Sequence, residues 1–352
     1  MPAEATAVCP KHMTYGPCGG VRDDGACEID ASLPCPFIPM DTVRWVGSPT
    51  PGPLSERSES KGAPAELLHL LATRPIVVAD LPARALDTAA LAACADILRD
   101  HVDAVLAGDS GSARVQFPPA YRARLVLESG LLPWVGLNCR DRNRVAIEAE
   151  LVGLAQVGVA AVHCVTGDHT DLGDRPDARP VFDLDSTRLA SLARSAGQLV
   201  SVAENPVAPP IERRPARLLE KERAGAQLCF VNHSGGVAPV AEFIARSRAL
   251  GVTLDFIPCV PIILDEHSAA LIRSFTGLAL PPGYVESILE SEDSRAAGIE
   301  AAARFAAELL EIDGVVGVNL SGGPLPGGEL GFAEGLAEIS ERILGTPRGR
   351  AA

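Results

Sequence analysis

Short apolar runs rich in β-branched residues alternate with longer amphipathic stretches from about residue 75 to residue 345. Such runs are typical of buried strands, and such stretches are typical of helices with one apolar face. Strands are predicted at 75–81, 102–108, 133–139, 160–167, 199–205, 227–233, 253–261 and 314–323. Helices are predicted at 87–101, 143–158, 185–197, 213–226, 237–251, 265–277, 284–312 and 329–344.

The stretch 143–158 shows why these segments are predicted as helices. Its apolar residues recur at intervals near three and four, and Gly158 supplies a stop signal. Strands that are each followed by a helix predict an α/β fold of the (β/α)8 TIM-barrel type. A doubly wound open sheet is the alternative, but no GxGxxG motif follows the first predicted strand.

The beginning of the chain has a different composition from this repeating body. Residues 1–48 form a cysteine-rich module, and the proline-rich, polar segment 49–65 is interpreted as a linker. The barrel is predicted over 66–346, and 347–352 form a tail. Glycine and proline are so frequent in the module that it cannot form a long helix, so something other than an apolar core must order it.

Cysteine is concentrated in this module. Of the nine cysteines, Cys9, Cys18, Cys27 and Cys35 lie there, and the others lie singly in apolar runs. Clustered thiols in a reducing compartment bind metal more often than they form disulfides, and four thiolates would complete a zinc or iron–sulfur site. The spacing is not the CxxC pair of common zinc sites, and His12 could replace one ligand. The alternative is a glycine-rich cap with reduced thiols.

Composition and charge narrow the class of protein. The chain has 352 residues, of which 47% are hydrophobic and 22% charged, as in a globular protein with a sizeable core. Its net charge of −14 disfavours nucleic acid as a main partner. No stretch approaches the roughly 18 uninterrupted apolar residues of a membrane helix, and the N-terminus lacks a signal-peptide core. We therefore expect a cytoplasmic protein that does not contact a membrane.

Chemistry in a (β/α)8 barrel collects where strands end and loops begin. Two strings, LNCRDRNR at 137–144 and VTGDHTD at 165–171, place charged groups directly after an apolar strand. These groups could orient a polar ligand, but Asp141 and Asn143 could instead cap the helix at 143. Asp168 follows Gly167 and precedes no predicted helix, so capping explains it less well.

Two further features allow a structural and a functional interpretation. His163 lies within a predicted strand and is interpreted as a core residue rather than a ligand. The glycine-rich string NLSGG at 319–323 could hold a phosphate at the end of the last strand, or it could be a plain turn.

The run CRDRNRVAIEAELVGLAQVGVAAVHCVTGDH resembles the methylenetetrahydrofolate reductase family. The similarity continues in AENPVAPP (203–210), RLLEKERAGAQL (217–228) and VTLDFIPCVP (252–261), in the same order along the chain. The first 45 residues are similar to a cysteine-rich module that accompanies some of these reductases, with the pattern CPK…GPCGG…GxCE followed by a further cysteine. The module is often attached elsewhere or carried on a separate subunit, whereas here it leads the chain.

The resemblance implies reduction of 5,10-methylenetetrahydrofolate to 5-methyltetrahydrofolate with electrons from NAD(P)H. Asp168 matches the aspartate of the family's GD motif and is implied to orient the pterin and act electrostatically. The family's acid is a glutamate at the end of the first strand, where this sequence has Asp80. Asn232 stands where the family has a glutamine that contacts the pterin.

The resemblance also implies FAD as the usual carrier of electrons. The residues implied for cofactor binding are Asp109, Asn138, Arg140, Asp141, Arg142, Thr166, Gly167, His169, Asn205 and Arg217. Gly136 stands where many members carry a histidine or glutamine that helps to hold FAD, and aromatic residues make up only 4% of the chain. Direct hydride transfer from the nicotinamide is therefore the alternative to a flavin.

Two other functions remain open from the sequence. The barrel could have lost turnover and serve as a folate-binding or complex-forming subunit that docks through its cysteine module. It could also be a lyase with a Schiff-base lysine, although Lys221 is the only lysine of the barrel body and lies in a predicted helix. Barrels of the resembled family commonly associate, so a homo-oligomer or a partner subunit is a further expectation.

Overall fold

The computed structural model describes residues 2–47, 61–108, 113–275 and 277–345. In these residues, eight parallel strands close into a barrel in the order β1 to β8, with β8 pairing to β1. The (β/α)8 TIM barrel predicted from the sequence is thus confirmed. The strands are β1 Ile76–Asp80, β2 Ala104–Ala107, β3 Pro133–Asn138, β4 Ala161–Val165, β5 Val200–Glu204, β6 Leu228–Val231, β7 Asp255–Pro261 and β8 Gly317–Ser321, each within a predicted run.

Helices surround the barrel and precede it. They are α1 Pro2–Val8, α2 Ala63–Thr73, α3 Thr88–Leu98, α4 Pro119–Glu128, α5 Arg144–Val157, α6 Ser186–Ser195, α7 Arg214–Ala224, α8 Val237–Ala249, α9 Glu266–Arg273, α10 Tyr284–Leu289, α11 Ser294–Leu310 and α12 Glu329–Leu344. Among the described residues, no helix is both long and apolar enough to span a bilayer.

Several helix ends follow the signals in the sequence. The Asn143 side chain accepts a hydrogen bond from the Ala146 N–H at the start of α5, which confirms its capping role. Gly158 ends α5 in the left-handed conformation (φ 80°), as its position predicts. Asp185 caps α6 by accepting from two backbone N–H groups.

The structure corrects the helix predictions in three places. The predicted helix 284–312 is two helices, because the Asp293 side chain caps a new helix at Ser294 by accepting from Ala296 N–H. The helix α4 was not predicted, and it begins at a proline pair that suits the first turn. The helix α2 was not predicted either, and it begins at Ala63, inside the segment interpreted as linker.

The barrel has two apolar layers. Side chains such as Val78, Trp134 and Phe230 fill the interior, and a larger cluster packs the outer face of the strands against the helices. Inside the barrel, Ser201 Oγ accepts from Trp134 Nε1 at 2.8 Å and lies 2.9 Å from His163 Nδ1. Burial, with the Lys221 charge, lowers the pKa of His163 to about 3, so this histidine is a neutral core residue as predicted.

The N-terminal module is a compact unit with a small core of its own. Met13, Val21 and Phe37 pack with the buried thiols of Cys9 and Cys35. Apart from the short α1, its described residues are ordered by turns and one isolated bridge rather than by long elements. The low content of regular structure expected from its glycine and proline is therefore observed.

Candidate functional site

Polar side chains gather inside the barrel mouth at the carboxyl ends of β6, β7, β8 and β1. Asn319 pairs in register with Val78, whose side chain belongs to the interior cluster, so the Asn319 side chain also points inward. By the same alternation of side chains, Asp80, Cys259 and Asn232 face the interior. We call these four inward-facing side chains the mouth cluster; within it, Asn319 contacts both Asp80 and Cys259.

Asp80 is the acidic group of the mouth cluster. Its Oδ1 accepts from Asn319 Nδ2 at 3.0 Å, and its Oδ2 accepts from the Gly322 backbone N–H at 3.2 Å. Burial raises the pKa of Asp80 to about 6, although these hydrogen bonds oppose the shift. A carboxyl group with such a pKa can hold and release a proton near neutral pH.

The same region has polar atoms without partners. Asn319 is only 2% exposed, and within the described residues its Oδ1 has no hydrogen-bond partner. Among the residues that the structure describes, the buried ring nitrogens of His233 likewise have no partner at bonding geometry, although the Cys259 backbone lies near. Burial lowers the pKa of His233 to about 4. Unpaired buried polar groups cost free energy, so this side of the mouth is suited to complementing a ligand.

The β5 side of the mouth carries a buried ionic network instead. Glu204 lies 2.7 Å from Lys221 Nζ and 3.1 Å from Arg214, and all three side chains are almost fully buried. Burial by itself would raise the pKa of Glu204, but the charges of Lys221, Arg214 and Arg217 lower it to about 2. Lys221 also donates to the Ala203 carbonyl, so its ammonium group is engaged in contacts that hold the barrel together.

The module docks on this side of the mouth. Asn205 Nδ2 donates to the Gly19 carbonyl at 2.8 Å, Arg214 donates to the Cys18 carbonyl at 2.9 Å, and Arg217 donates to the Tyr15 carbonyl at 2.6 Å. Two of the residues implied for cofactor binding, Asn205 and Arg217, thus hold main-chain oxygens of the module.

Further contacts extend the docked surface. The Asp185 carboxylate accepts from the backbone N–H groups of Thr14 and Tyr15 at 3.0 and 3.1 Å, in addition to capping α6. Arg213 donates to the Ile38 and Met40 carbonyls, and Glu220 accepts from Trp45 N–H at 2.6 Å. The module therefore covers the loops that follow β4 and β5.

The charged string after β3 largely maintains local structure. Arg140 is 1% exposed and pairs with Asp141 at 2.7 Å. Asn138 Oδ1 accepts from Asp141 N–H at 3.4 Å, while Arg142 is partly buried and its Nη1 meets no partner in the described part of the chain. Three neighbouring residues are thus tied together, and Arg142 has a nitrogen left to bind something else.

The loop after β4 is shaped by Thr166, Gly167 and His169. Thr166 Oγ1 accepts from Ser186 N–H, which joins the loop to the start of α6. Gly167 adopts φ 89°, and a Cβ there would lie 3.0 Å from Asn138 Cβ, so glycine is required. The His169 ring stacks against the Phe182 ring with 6.0 Å between their centroids.

Asp168 lies at the edge of the module. Its side chain is exposed, and its charge acts on Lys11, a buried module residue that is paired with Glu28. Burial alone would lower the pKa of Lys11, but Glu28, Cys18 and Asp168 raise it. Lys11, which the sequence did not single out, therefore remains charged beside the GD motif.

Four positions that the resemblance links to FAD bear on whether this cofactor fits the barrel. A Cβ at Gly136 would lie 2.8 Å from the Gly108 Cα, so no larger residue fits where a flavin-holding side chain is expected. Asn205 and Arg217 are engaged by the module. Asp109 lies outside the described residues. Gly136, Asn205 and Arg217 therefore leave FAD without the contacts that the resemblance implies at these positions.

The four module cysteines line one cavity of about 20 Å³, together with Lys11 and Glu28. Burial raises the pKa values of Cys9 and Cys35, and burial together with Glu28 raises that of Cys18 to about 12. Among the described residues, no three His, Cys, Asp or Glu side chains stand in ligand geometry around one point. The four thiols line the same cavity, but they do not stand in ligand geometry, so the metal site stays a prediction.

The fold and the site define a TIM barrel whose mouth is partly covered by a cysteine-rich module, and comparisons with known proteins agree with this class. Residues 5–43 match the family model described as "Methylene-tetrahydrofolate reductase C terminal". The resemblance expected from the sequence is thus confirmed in the module. No curated protein sequence matches the chain.

Solved structures resemble the barrel. One is a protein from Clostridium thermocellum, described as binding two copies of 5-methyl-5,6,7,8-tetrahydrofolic acid. Its TM-score is 0.58 at 12% sequence identity, and the match covers 78% of this chain and 98% of that protein's chain. A 2,3-dimethylmalate lyase has a TM-score of 0.45 at 14% identity, covering 74% of this chain and 81% of its own. At these identities the likeness shows the fold alone.

Proposed function

We propose that this chain binds a reduced folate at the mouth cluster and reduces 5,10-methylenetetrahydrofolate to 5-methyltetrahydrofolate with NAD(P)H. The observation that carries the proposal is Asp80, an inward-facing carboxyl at the end of β1 whose pKa of about 6 suits a proton donor. The module matched to "Methylene-tetrahydrofolate reductase C terminal" and the folate bound by the neighbour from C. thermocellum support the same substrate class.

The reaction needs one proton and one hydride. A protonated Asp80 gives its proton to the bridge nitrogen that leaves when the five-membered ring of the substrate opens. The resulting iminium carbon accepts hydride and becomes the methyl group, while NAD(P)H becomes NAD(P)+. Asp168 supplies negative charge that stabilises the cationic iminium, and the Asn232 amide hydrogen-bonds the pterin.

The hydride passes directly from the nicotinamide to the substrate in this proposal. The reason is the close approach of Gly136 to Gly108 and the engagement of Asn205 and Arg217 by the module, which together leave FAD without its expected contacts. Direct transfer needs only that the two bound molecules meet in a cleft that excludes water.

Turnover and its dependence on Asp80 and Asp168 test the proposal. The protein is incubated with 5,10-methylenetetrahydrofolate and NADH or NADPH, with and without added FAD, and 5-methyltetrahydrofolate is quantified. Asp80→Asn and Asp168→Asn are each expected to lower kcat by about 100-fold or more, since an acid or a charge is lost. Asp171→Asn, an exposed neighbour of the GD motif, is the matched control and should keep the rate. Unchanged turnover in Asp80→Asn would contradict its role as the acid.

A folate-binding subunit without turnover is the second candidate. The observation that favours it is the docked module, which engages residues that the resemblance assigns to a cofactor. Binding of 5-methyltetrahydrofolate, measured by calorimetry, with no product formed from either nicotinamide would select this candidate over the reductase.

We also propose that Cys9, Cys18, Cys27 and Cys35 together bind zinc or an iron–sulfur cluster. The support is that all four line one small cavity, and that thiolates are the ligands both groups prefer. The group would add its ligand bonds to the small apolar core of the module. Anaerobic purification followed by metal and sulfide analysis tests this, with Cys35→Ser expected to lose the metal and Cys94→Ser, a buried thiol in α3, expected to retain it.

A further inference from the structure

Asn319 occupies a central place in the mouth cluster that neither the resemblance nor the comparisons assign. It lies on β8 between two neighbouring strands, in register with Val78 on β1 and with Cys259 on β7. Its Nδ2 donates to Asp80 Oδ1 at 3.0 Å and lies 3.8 Å from Cys259 Sγ. The side chain is 2% exposed, so its position is set by the barrel wall rather than by solvent.

The orientation of this amide follows from its neighbour. When Asp80 is ionised, its carboxylate can only accept hydrogen bonds, so the amide nitrogen faces Asp80 and the amide oxygen faces away. The oxygen is buried, and in the described part of the chain it has no partner. A buried acceptor of this kind costs free energy unless a donor pairs with it.

We infer that Asn319 is the positioning residue of the mouth: its Nδ2 orients the Asp80 carboxyl, and its Oδ1 accepts a hydrogen bond from an N–H group of the ligand. The second part rests on the proposed function, since reduced pterins carry ring and amino N–H groups. The first part concerns only this chain.

The Asp80 carboxyl accepts hydrogen bonds on both of its oxygens, so the Asn319 amide can influence its orientation and its pKa. Asn319 and the Gly322 backbone each donate to a different carboxyl oxygen, so the plane of the carboxyl group is fixed. Ser321, which lies on β8 like Asn319, also hydrogen-bonds Asp80 and favours its charged form. On β7, the titratable group that faces Asp80 is Cys259. Donors to the carboxylate favour the charged form, whereas burial favours the neutral form.

Removal of the Asn319 donor should therefore push Asp80 towards its neutral form. In ligand-free protein, Asn319→Leu is expected to raise the pKa of Asp80 by about one pH unit, and Asn319→Ser, which keeps a hydroxyl donor, should raise it less. The titration is followed by the infrared band of the carboxyl group, identified by its loss in Asp80→Asn. Asn232→Leu is the matched control: the same exchange in the same mouth, on a side chain not bonded to Asp80, should leave the titration in place.

An unchanged Asp80 titration in both Asn319→Leu and Asn319→Ser would overturn the positioning role. If Asn319→Leu fails to fold, Asn319→Ala, which also removes the donor, takes its place. This measurement uses no ligand, so its result is independent of whether the chain is a folate reductase.

A double-mutant cycle tests the contact to the ligand. The dissociation constant of 5-methyltetrahydrofolate is measured for wild type, Asp80→Asn, Asn319→Leu and the double variant. If Asn319 Oδ1 accepts from the ligand, the double variant binds about tenfold more weakly than Asp80→Asn. Equal affinities of these two variants would overturn the ligand contact. No folate binding by wild type would overturn the proposed function and this contact, but not the positioning of Asp80.

Discussion

The two halves of the barrel mouth differ in how completely their polar groups are paired. On the β5 side, Glu204 pairs with both Lys221 and Arg214, and Asn205 and Arg217 bind the module. On the β8 side, Asn319 retains an unpaired oxygen and burial raises the pKa of Asp80. The β5 half thus contributes to stability and to docking of the module, whereas the β8 half retains the unpaired acceptor and the titratable carboxyl on which the proposed ligand site depends.

The largest expected effect comes from breaking the paired half. Glu204→Gln leaves Lys221 and Arg214 as buried charges without a counter-charge, and such a break costs about 3–5 kcal/mol of unfolding free energy. Urea unfolding monitored by circular dichroism measures the loss. Glu300→Gln, which breaks the exposed pair of Glu300 with Arg342, is the matched control and should cost less than about 0.5 kcal/mol. Equal losses in the two variants would remove the distinction between the two kinds of ion pair.

A smaller effect is expected where the module meets the barrel. Asn205→Ala removes the donor to the Gly19 and Gly277 carbonyls, which we expect to cost about 1–3 kcal/mol and to expose the module to proteolysis. Limited proteolysis followed by mass spectrometry measures cleavage within residues 2–47. Asn143→Ala, which removes only the cap of α5, should destabilise by about 1 kcal/mol without opening the module. Protection of the module in both variants would show that Asn205 does not hold it.

The smallest effect concerns Asp80, on the β8 side of the barrel mouth. Because the pKa of Asp80 is raised in the folded state, the fold binds a proton more readily than the unfolded chain, and stability falls as the pH rises from about 4 to about 6. Asp80→Asn cannot ionise, so relative to wild type it should gain about 1–2 kcal/mol between pH 4 and pH 7. Urea unfolding at the two pH values measures the difference. A constant difference would show that Asp80 titrates normally.

The fold was predictable because its signals are local. Every strand lies in a predicted apolar run, and caps such as Asn143 and stops such as Gly158 stand at the helix ends they predict. The errors have local causes as well. The Asp293 cap lies within a stretch whose helical pattern continues through it. The helix α4 is only ten residues long, opens at a proline pair and has two arginines among its apolar residues.

The candidate site was less predictable because its contacts join distant parts of the chain. The resemblance pointed to Asp80, and the glycine-rich string 319–323 was found at the end of the last strand, but only the closure of the barrel brings Asn319 beside Asp80. In that segment the Gly322 N–H donates to Asp80, a role that neither the phosphate nor the plain-turn interpretation included. Lys11 and Asp168 are separated by most of the module and half of the barrel, so no spacing in the sequence indicates their proximity.

The barrel holds the module chiefly through contacts to the main chain of the module. Carbonyl oxygens of Tyr15, Cys18 and Gly19 accept the side chains of Arg217, Arg214 and Asn205, and the Asp185 carboxylate accepts backbone N–H groups. Every amino acid carries such a carbonyl, so exchanges of module side chains can leave these bonds intact as long as the backbone path is kept. Substitutions should therefore be tolerated well at the module residues of this interface. They should be tolerated poorly at the few barrel residues whose side chains bind the module's main chain.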